Sequence, residues 1–252
     1  MIRLPLLILA LTFFQDDVAD VSSEELQAGK DPDKKYFLIG AKPDAKLPEK
    51  GSGLVVVLPG NDGRAGFNPF VRRIFKNSIP DGFLMAQMVA VEWTPGQAKT
   101  LTWPTQKSPA KGMKFTTEEF FDAVVQDSAQ RQKIDLSRVY TLSWSSGGPP
   151  SYAIALRPKK PVAGSLIAMS VFHPKELDLS QAKGQSFYLY QSKEDVVTTF
   201  EHAEKSKAAL LEAGGDVELK TYGGGHGWRA PFYTDLRAGL EWLDKKREAG
   251  NK

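Results

Sequence analysis

The sequence predicts an α/β fold in which helices flank a mostly parallel central sheet, and three observations support this prediction. Short apolar and β-branched runs alternate along the chain with segments of helical periodicity. Several of these runs, such as residues 54–58, are apolar throughout, as strands buried on both faces of a parallel sheet are. The 252 residues suffice for one sizeable core, so we expect a single domain over residues 21–252 behind a leader over residues 1–20.

Each predicted strand is a short run of apolar and β-branched residues. The six clear strands cover residues 54–58, 84–91, 139–143, 165–169, 187–190 and 217–222, and a weaker one covers residues 36–39. Residues 21–35 are polar, so we expect them at the periphery.

Three helices are predicted over residues 116–131, 200–213 and 235–247. The first opens with the capping-box pattern Thr116-x-x-Glu119, and the second ends at the pair Gly214-Gly215. Residues 94–115, with three prolines and several lysines, are predicted to form a long loop. Loops of this length in compact domains are often functional, so we expect this one near the functional site.

Composition narrows the classes of partner and of chemistry. Hydrophobic residues make up 41% and charged residues 25% of the chain, as in an ordinary soluble globular protein. The net charge of +3 is small, and basic residues are interspersed with acidic ones, so nucleic acid is not an expected partner. Because the chain has no cysteine, disulfides, thiol catalysis and thiolate metal sites are excluded.

The N-terminal residues have the pattern of a secretory signal. A positive start, Met1-Ile2-Arg3, precedes an apolar run over residues 4–14 and a polar, acidic stretch over residues 15–20. The apolar run is shorter than the ~20 residues that cross a bilayer. We therefore expect a secreted or periplasmic protein with no stable membrane anchor after signal removal, the alternative being a buried N-terminal strand or helix.

The strongest chemical signal is Ser143-Trp144-Ser145-Ser146-Gly147-Gly148, directly after a predicted strand and before an apolar helical stretch. A nucleophile elbow places its serine on a sharp strand-to-helix turn, where the residues two positions away on either side must be small. For Ser145 those neighbours are Ser143 and Gly147, whereas for Ser146 one of them is Trp144. Ser145 is therefore the predicted nucleophile, and a plain Ser/Gly-rich turn is the alternative.

A serine hydroxyl needs a base to take its proton, and histidine is the usual one. His226 lies in the glycine-rich segment Gly223–Trp228, just after the last predicted strand. His202 falls inside a predicted helix, and His173 could line a pocket but precedes any acid in the chain order expected for such sites. His226 is the predicted base.

The base needs an acid that fixes its tautomer and stabilises the imidazolium. Asp195 follows the predicted strand 187–190 and lies between the serine and histidine segments, which gives the order Ser, Asp, His. Glu194 and Asp178 are the alternatives.

An oxyanion hole requires two amides aimed at the developing negative charge. One is predicted to be the backbone amide of Ser146, the residue after the nucleophile. The other is predicted to be the backbone amide of Asn61, in the loop Pro59-Gly60-Asn61-Asp62-Gly63 after the strand 54–58. A tight Asn-Asp-Gly turn without a catalytic part is the alternative for this loop.

Together these segments resemble the marker segments of the α/β-hydrolase superfamily. They are Leu58-Pro59-Gly60-Asn61, Ser143-Trp144-Ser145-Ser146-Gly147, Asp195-Val196-Val197 and Gly225-His226-Gly227, and the similarity extends over about residues 54–243. Within the superfamily the sequence is most similar to the compact carboxylesterase/phospholipase group and to depolymerase-like and feruloyl-type esterases. Two departures are Pro59, where the family often has histidine, and Ser143, where it has glycine.

The resemblance implies an α/β-hydrolase fold and a serine esterase that acts through an acyl-enzyme, without a cofactor or a metal. Its substrate would be a small-molecule or polymer-linked ester. A serine peptidase or a thioesterase on the same fold is an alternative, since the same three residues serve amides and thioesters. A non-catalytic ligand-binding protein that retains the fold is another.

Two further expectations concern the surroundings of the site. Residues 170–186 are too few to form a large lid, so an open site is expected. Four tryptophans, Trp93, Trp103, Trp144 and Trp228, fall on or near loops at the predicted catalytic edge and are candidates for a substrate-binding aromatic platform, the alternative being that they are packing residues.

Overall fold

The computed structural model describes residues 17–40 and 48–250, and these residues contain an eight-stranded sheet with the order β1-β2-β4-β3-β5-β6-β7-β8. The strands are β1 (Ser23–Gln27), β2 (Lys35–Ile39), β3 (Ser52–Leu58), β4 (Phe83–Met88), β5 (Ile134–Trp144), β6 (Gly164–Ala168), β7 (Ser186–Ser192) and β8 (Asp216–Tyr222). Six neighbouring strands are parallel to one another: β4, β3, β5, β6, β7 and β8. At one edge of the sheet β2 pairs antiparallel with β4, and β1 pairs antiparallel with β2. The predicted mostly parallel sheet is thus confirmed.

Five α-helices in the described residues cover the two faces of the sheet: α1 (Asn68–Ser78), α2 (Thr117–Arg131), α3 (Gly148–Ala155), α4 (Phe200–Glu212) and α5 (Phe232–Gly250). The apolar residues of α2, α3 and α4 pack into one core, and those of α1 and α5 pack into a second core on the other face. Burial on both faces explains why β3 and β4 are apolar nearly throughout. Among the described residues no helix is long and apolar enough to cross a membrane.

The predicted strands and helices are all present, with ends shifted by up to a few residues. The capping box at the start of α2 is also present, since Thr116 accepts from the Glu119 amide and the Glu119 side chain accepts from the Thr116 amide. The strand β5 begins earlier than predicted, at Ile134, because Ile134 pairs with Ser52 across a register shift. The strand β4 ends earlier than predicted, at Met88 and not at residue 91.

Two elements were not predicted. The strand β1 is missing from the prediction because it is a polar edge strand in which only Leu26 is buried. Its antiparallel pairing with β2 stabilises it, and sequence periodicity does not show such a pairing. The helix α1 could have been predicted from the sequence, because Val71, Ile74 and Phe75 are at helical spacing and Pro69 lies in the first turn.

The predicted leader lies mostly outside the described residues, which begin at Asp17. The last residues of that predicted leader pack on α1: Val18 is fully buried, and Asp17 and Asp20 pair with Arg73 and Lys76 at 2.9 and 2.8 Å. Residues 17–20 are therefore part of the folded domain.

Candidate active site

The carboxyl ends of four parallel strands meet at one edge of the sheet and bring the predicted site residues together. Asn61 follows β3, Ser145 follows β5, Asp195 follows β7 and His226 follows β8. Ligand sites of open α/β sheets lie at this edge, because every loop after a parallel strand emerges there.

Ser145 stands on a sharp turn between β5 and α3. Its φ of 51° is left-handed, a strained conformation for a residue with a side chain. A 3-10 turn over Ser145–Gly147 leads directly into α3, whose first turn contains Pro149 and Pro150. A Cβ at Gly147 would lie 2.1 Å from the carbonyl oxygen of Leu58, so a glycine is required there. The backbone is that of a nucleophile elbow.

The imidazole of His226 lies between Ser145 and Asp195. The distance from His226 Nε2 to Ser145 Oγ is 3.2 Å, and that from His226 Nδ1 to Asp195 Oδ2 is 2.8 Å. The Asp195 side chain is fully buried, whereas that of His226 is 24% exposed and can reach a bound molecule. With Nδ1 donating to the carboxylate, Nε2 is free to accept the Ser145 proton.

Asp195 is held by a set of donors in addition to His226. Its Oδ1 accepts from the amides of Val197 and Thr198, and its Oδ2 accepts from Gln191 Nε2 and Thr198 Oγ1, all at 2.9 Å. Burial acts to raise the pKa of Asp195, but the hydrogen bonds from Thr198, His226 and Val197 outweigh it and lower the pKa below its usual value. The carboxylate therefore stays ionised.

Gln191 and Thr198 were not singled out from the sequence. Thr198 had a local signal, because an aspartate that accepts from the amides two and three residues ahead is a common turn and capping pattern. Gln191 had none, because its contact with Asp195 depends on the path of the loop after β7.

Glu194, the alternative acid, has a different position. Its carboxylate accepts from the Gly224 amide, and Ser192 Oγ accepts from the Gly225 amide at 3.1 Å. Both glycines have positive φ, so the loop that carries His226 depends on their conformational freedom. Glu194 thus fixes the histidine loop and does not contact the imidazole.

Asp178, His173 and His202 take different positions in the fold. Asp178 accepts from the amide and hydroxyl of Ser180 in a local turn. His202 lies in α4, as predicted, and His173 contributes to the wall of a cavity. In the described residues, no group of three His, Asp or Glu side chains is arranged to hold a metal ion.

The two predicted oxyanion amides belong to neighbouring loops. A Cβ at Gly60 would lie 2.9 Å from Ser145 Cβ, so the loop after β3 packs directly against the elbow. Ser146 Oγ donates to the Asn61 carbonyl at 2.8 Å, which joins the two residues. Among the described residues neither backbone amide donates to another protein group, so both are available to a ligand.

A cavity of about 540 Å³ lies beside Asn61 and Ser146. Its walls come from the loop 94–115, the start of α3 and the segment after β6, with Trp103, Pro149 and Leu177 among them. The volume is in the range of small-molecule sites. The predicted proximity of the long loop to the site is confirmed, and residues 170–185 contain only short 3-10 turns, in agreement with the absence of a large lid.

The four tryptophans do not form a common platform. Trp144 and Trp228 pack edge-on against each other at 5.7 Å in the core beneath α1 and α5, and Trp93 packs against Phe115 at 4.9 Å. Trp103 alone lines the cavity, and its indole is nearly buried. The side chain of Trp144 points away from the cavity because successive side chains of a strand alternate between the two faces. Trp93, Trp144 and Trp228 therefore do not line this cavity.

Comparison with known proteins gives structural matches only. No family model matches the sequence, and no curated protein matches it. The carboxylesterase of Bacillus cereus is 14% identical, with a TM-score of 0.60 over 84% of this chain and 93% of that one. MGS-M1, an α/β-hydrolase enzyme from a Medee basin deep-sea metagenome library, is 12% identical, with a TM-score of 0.65 over 91% and 99%. The carboxylesterase of Mesorhizobium loti is 15% identical, with a TM-score of 0.63 over 88% and 98%.

These likenesses, together with the sheet order and the elbow, show that the chain has the α/β-hydrolase fold. The fold predicted from the marker segments is confirmed over nearly the whole described chain. At these identities the likeness extends to the fold, and the chemistry has to be argued from the site itself.

Proposed function

We propose that this protein is a serine hydrolase of carboxylic esters. The observation that supports the proposal is the continuous relay from Asp195 through His226 to Ser145, with distances of 2.8 and 3.2 Å, at a serine held in left-handed backbone. Two of the structurally similar proteins are named carboxylesterases, which favours esters as the substrate class.

In the proposed first half-reaction Ser145 Oγ attacks the ester carbonyl carbon while His226 Nε2 takes the hydroxyl proton. The carbonyl oxygen becomes an oxyanion, which the amides of Asn61 and Ser146 stabilise. When the tetrahedral intermediate collapses, the C–O bond to the alcohol breaks and His226 gives its proton to the leaving alcohol. Ser145 is left acylated.

The second half-reaction repeats these steps with water. His226 takes a proton from water as the water oxygen attacks the acyl carbonyl, and the second tetrahedral intermediate releases the carboxylic acid as Ser145 Oγ regains its proton from His226. Asp195, held ionised by its donors, stabilises the imidazolium in both halves.

The cavity indicates which part of the ester is bound by the protein. The leaving alcohol must lie at His226 Nε2 to receive its proton, but the cavity is lined by Asn61 and Ser146 and not by His226. We therefore place the acyl group in the cavity and the alcohol on the open side. With about 540 Å³ of space in the cavity, we expect acyl groups much larger than acetyl to fit.

The leaving group separates ester cleavage from peptidase and thioesterase activity on the same fold. We expect turnover of p-nitrophenyl butyrate and much slower or no turnover of the matched p-nitroanilide, with both reactions lost in Ser145→Ala. Faster cleavage of the anilide, or of a butyryl thioester, would replace the ester proposal by a peptidase or a thioesterase.

The acyl assignment has its own test. Ala153 borders the cavity, so Ala153→Trp should fill part of it. We expect kcat/KM for a bulky acyl ester such as the p-nitrophenyl octanoate to fall by about tenfold or more relative to the acetate. An equal loss for both esters, or a selective loss for bulky alcohols, would contradict the assignment.

A non-catalytic binding protein is the alternative from another class. It predicts saturable binding of a ligand that survives Ser145→Ala, with no turnover in either form.

Export of the protein is also part of the proposal, and the contacts of residues 17–20 restrict where a leader could end. Removal after Asp20 would delete the buried Val18 and the ion pairs with α1, so we expect cleavage before Asp17. N-terminal sequencing of exported protein checks this, and a mature chain beginning at Val21 would contradict it.

A further inference from the structure

Three consecutive carbonyls in the loop after β3 each accept a hydrogen bond. The Pro59 carbonyl accepts from Trp103 Nε1 at 2.9 Å, and the Gly60 carbonyl accepts from the Gly63 amide at 3.0 Å. The Asn61 carbonyl accepts two, from Thr102 Oγ1 at 2.6 Å and from Ser146 Oγ at 2.8 Å. Both lone pairs of the Asn61 oxygen are therefore occupied.

The amide proposed for the oxyanion belongs to the peptide between Gly60 and Asn61. A peptide group is planar, so the Asn61 N–H points opposite to the Gly60 carbonyl. That carbonyl accepts a hydrogen bond from the Gly63 amide. The peptides before and after it are fixed through the carbonyls of Pro59 and Asn61. The direction of the Asn61 N–H is thus set by contacts to groups other than the amide itself.

Asn61 needs such support, because its φ of 54° is left-handed and its side chain is exposed to solvent. Residues in this conformation persist where the surrounding contacts determine it. Asparagine tolerates it better than most residues, but the exposed side chain supplies no packing.

The loop 94–115 supplies two of the four donors from nearly buried positions. Thr102 is 5% exposed and Trp103 is 3% exposed. A Cβ at Gly63 would lie 2.8 Å from Trp103 Cζ2 and 3.1 Å from Thr102 Cγ2, so the two loops pack without a gap. The bond from Trp103 is buried and that from Thr102 is partly buried, and reduced exposure to water makes such hydrogen bonds more effective constraints.

We propose that Thr102 and Trp103 are positioning residues that hold the Asn61 amide in the direction required by the oxyanion, with the Ser146 hydroxyl as a second tie to the same carbonyl. This inference rests on the proposed function. A pre-oriented amide stabilises the charge that develops in the transition state, while the uncharged ground-state carbonyl gains less from it. Loss of these hydrogen bonds should therefore lower kcat and leave KM nearly unchanged.

The test compares four single variants in the full chain. Thr102→Val keeps the shape of the side chain but removes the donor, and Thr102→Ser restores a hydroxyl. Trp103→Phe keeps an aromatic ring but removes the indole N–H. Thr94→Val is the matched control, because it makes the same exchange in the same loop at a residue outside the hydrogen bonds to Asn61.

For p-nitrophenyl butyrate we expect Thr102→Val to lower kcat by about 10- to 100-fold with KM within about twofold of the wild type. Trp103→Phe should act in the same direction, and adding Ser146→Ala to Thr102→Val should lower kcat further. Thr102→Ser should recover most of kcat, and Thr94→Val should keep it. A trifluoromethyl ketone that forms an oxyanion adduct at Ser145 should lose affinity in proportion to kcat.

Two results would overturn the inference. One is a wild-type kcat in Thr102→Val, and the other is a loss that tracks the unfolded fraction in thermal denaturation, without rescue by Thr102→Ser. Failure of the proposed function is seen separately, because the wild type itself would then not turn over the ester.

Discussion

Among single residues, Asp195 and its neighbour Glu194 differ in the groups that their carboxylates contact. Asp195 contacts His226 Nδ1, whereas Glu194 contacts the amide of Gly224. The two residues are adjacent in the chain, and the sequence predicts Asp195 with Glu194 and Asp178 as alternatives. The path of the loop after β7 turns one side chain inward and the other toward the histidine loop.

These contacts predict different effects for matched substitutions. Asp195→Asn should lower kcat by about 10³- to 10⁴-fold, because an amide cannot hold the required imidazole tautomer or stabilise its charged form. Glu194→Gln keeps an acceptor for Gly224 and should cost tenfold or less, on the order of one neutral hydrogen bond. Steady-state kinetics on a p-nitrophenyl ester checks both. The reverse ranking would identify Glu194 as the acid.

The elbow makes a second prediction at this scale. Gly147→Ala places a Cβ 2.1 Å from the Leu58 carbonyl oxygen, which is rigid backbone, whereas a Cβ at Gly66 has open space around it. We expect Gly147→Ala to lower the free energy of unfolding by about 1–3 kcal/mol and to impair ester turnover, because the elbow must move. Gly66→Ala should change little. Thermal denaturation and kinetics of the pair test this, and equal stability of the two variants would contradict the tight approach of the elbow to β3.

At the scale of elements, β5 is joined to α5 by a partly buried cluster around Asp244. This carboxylate accepts from Arg138 Nη2 at 2.9 Å, Tyr140 Oη at 2.6 Å and Arg247 Nε at 2.9 Å. Burial acts to raise the pKa of Asp244, but the hydrogen bonds from Arg138, Tyr140 and Arg247 outweigh it, so the pKa is lowered. The strand that presents Ser145 is thereby fixed to the helix behind it.

The sign of the pKa shift gives the pH dependence. Because the folded pKa of Asp244 lies below the unfolded value of about 3.9, its stabilisation is present above that value and is lost as the pH falls through the folded pKa. Asp244→Asn should therefore lower the free energy of unfolding by about 2 kcal/mol at pH 7, and the difference from wild type should shrink below pH 4.

Urea denaturation across this pH range measures the effect. Asp216→Asn is the control, since its pair with Lys246 is 49% and 37% exposed and is expected to contribute less than ~1 kcal/mol. A difference for Asp244→Asn that does not change between pH 7 and pH 3 would contradict the lowered pKa of Asp244.

At the scale of the whole molecule, the sheet order brings to one edge residues that are far apart in the chain. Ser145 and His226 are 81 positions apart and hydrogen-bonded. The strands before Ser145, Asp195 and His226 could be recognised from runs rich in apolar and β-branched residues. Because each of the three residues follows a strand, their order Ser, Asp, His could be read from the chain. The fold and these three residues were therefore accessible to sequence reasoning.

Other features depend on contacts that no local pattern encodes. The edge strand β1 is polar and is defined by its pairing with β2. The pleat of β5 decides on which face of the sheet Trp144 lies, and the course of the loop after β8 decides it for Trp228. The sequence therefore did not predict that both pack in the core beneath α1 and α5. The hydrogen bond from Thr102 to Asn61 joins two loops that are 41 positions apart, and neither loop has a sequence pattern that predicts it.

The proposed function requires Ser145 to be an activated nucleophile. The most direct measurement is treatment of the folded protein with a fluorophosphonate probe, followed by mass spectrometry of the labelled peptide. We expect stoichiometric labelling at Ser145, with none at Ser146, and loss of labelling in His226→Ala. A folded wild-type protein that remains unlabelled, or is labelled equally well without His226, would contradict it.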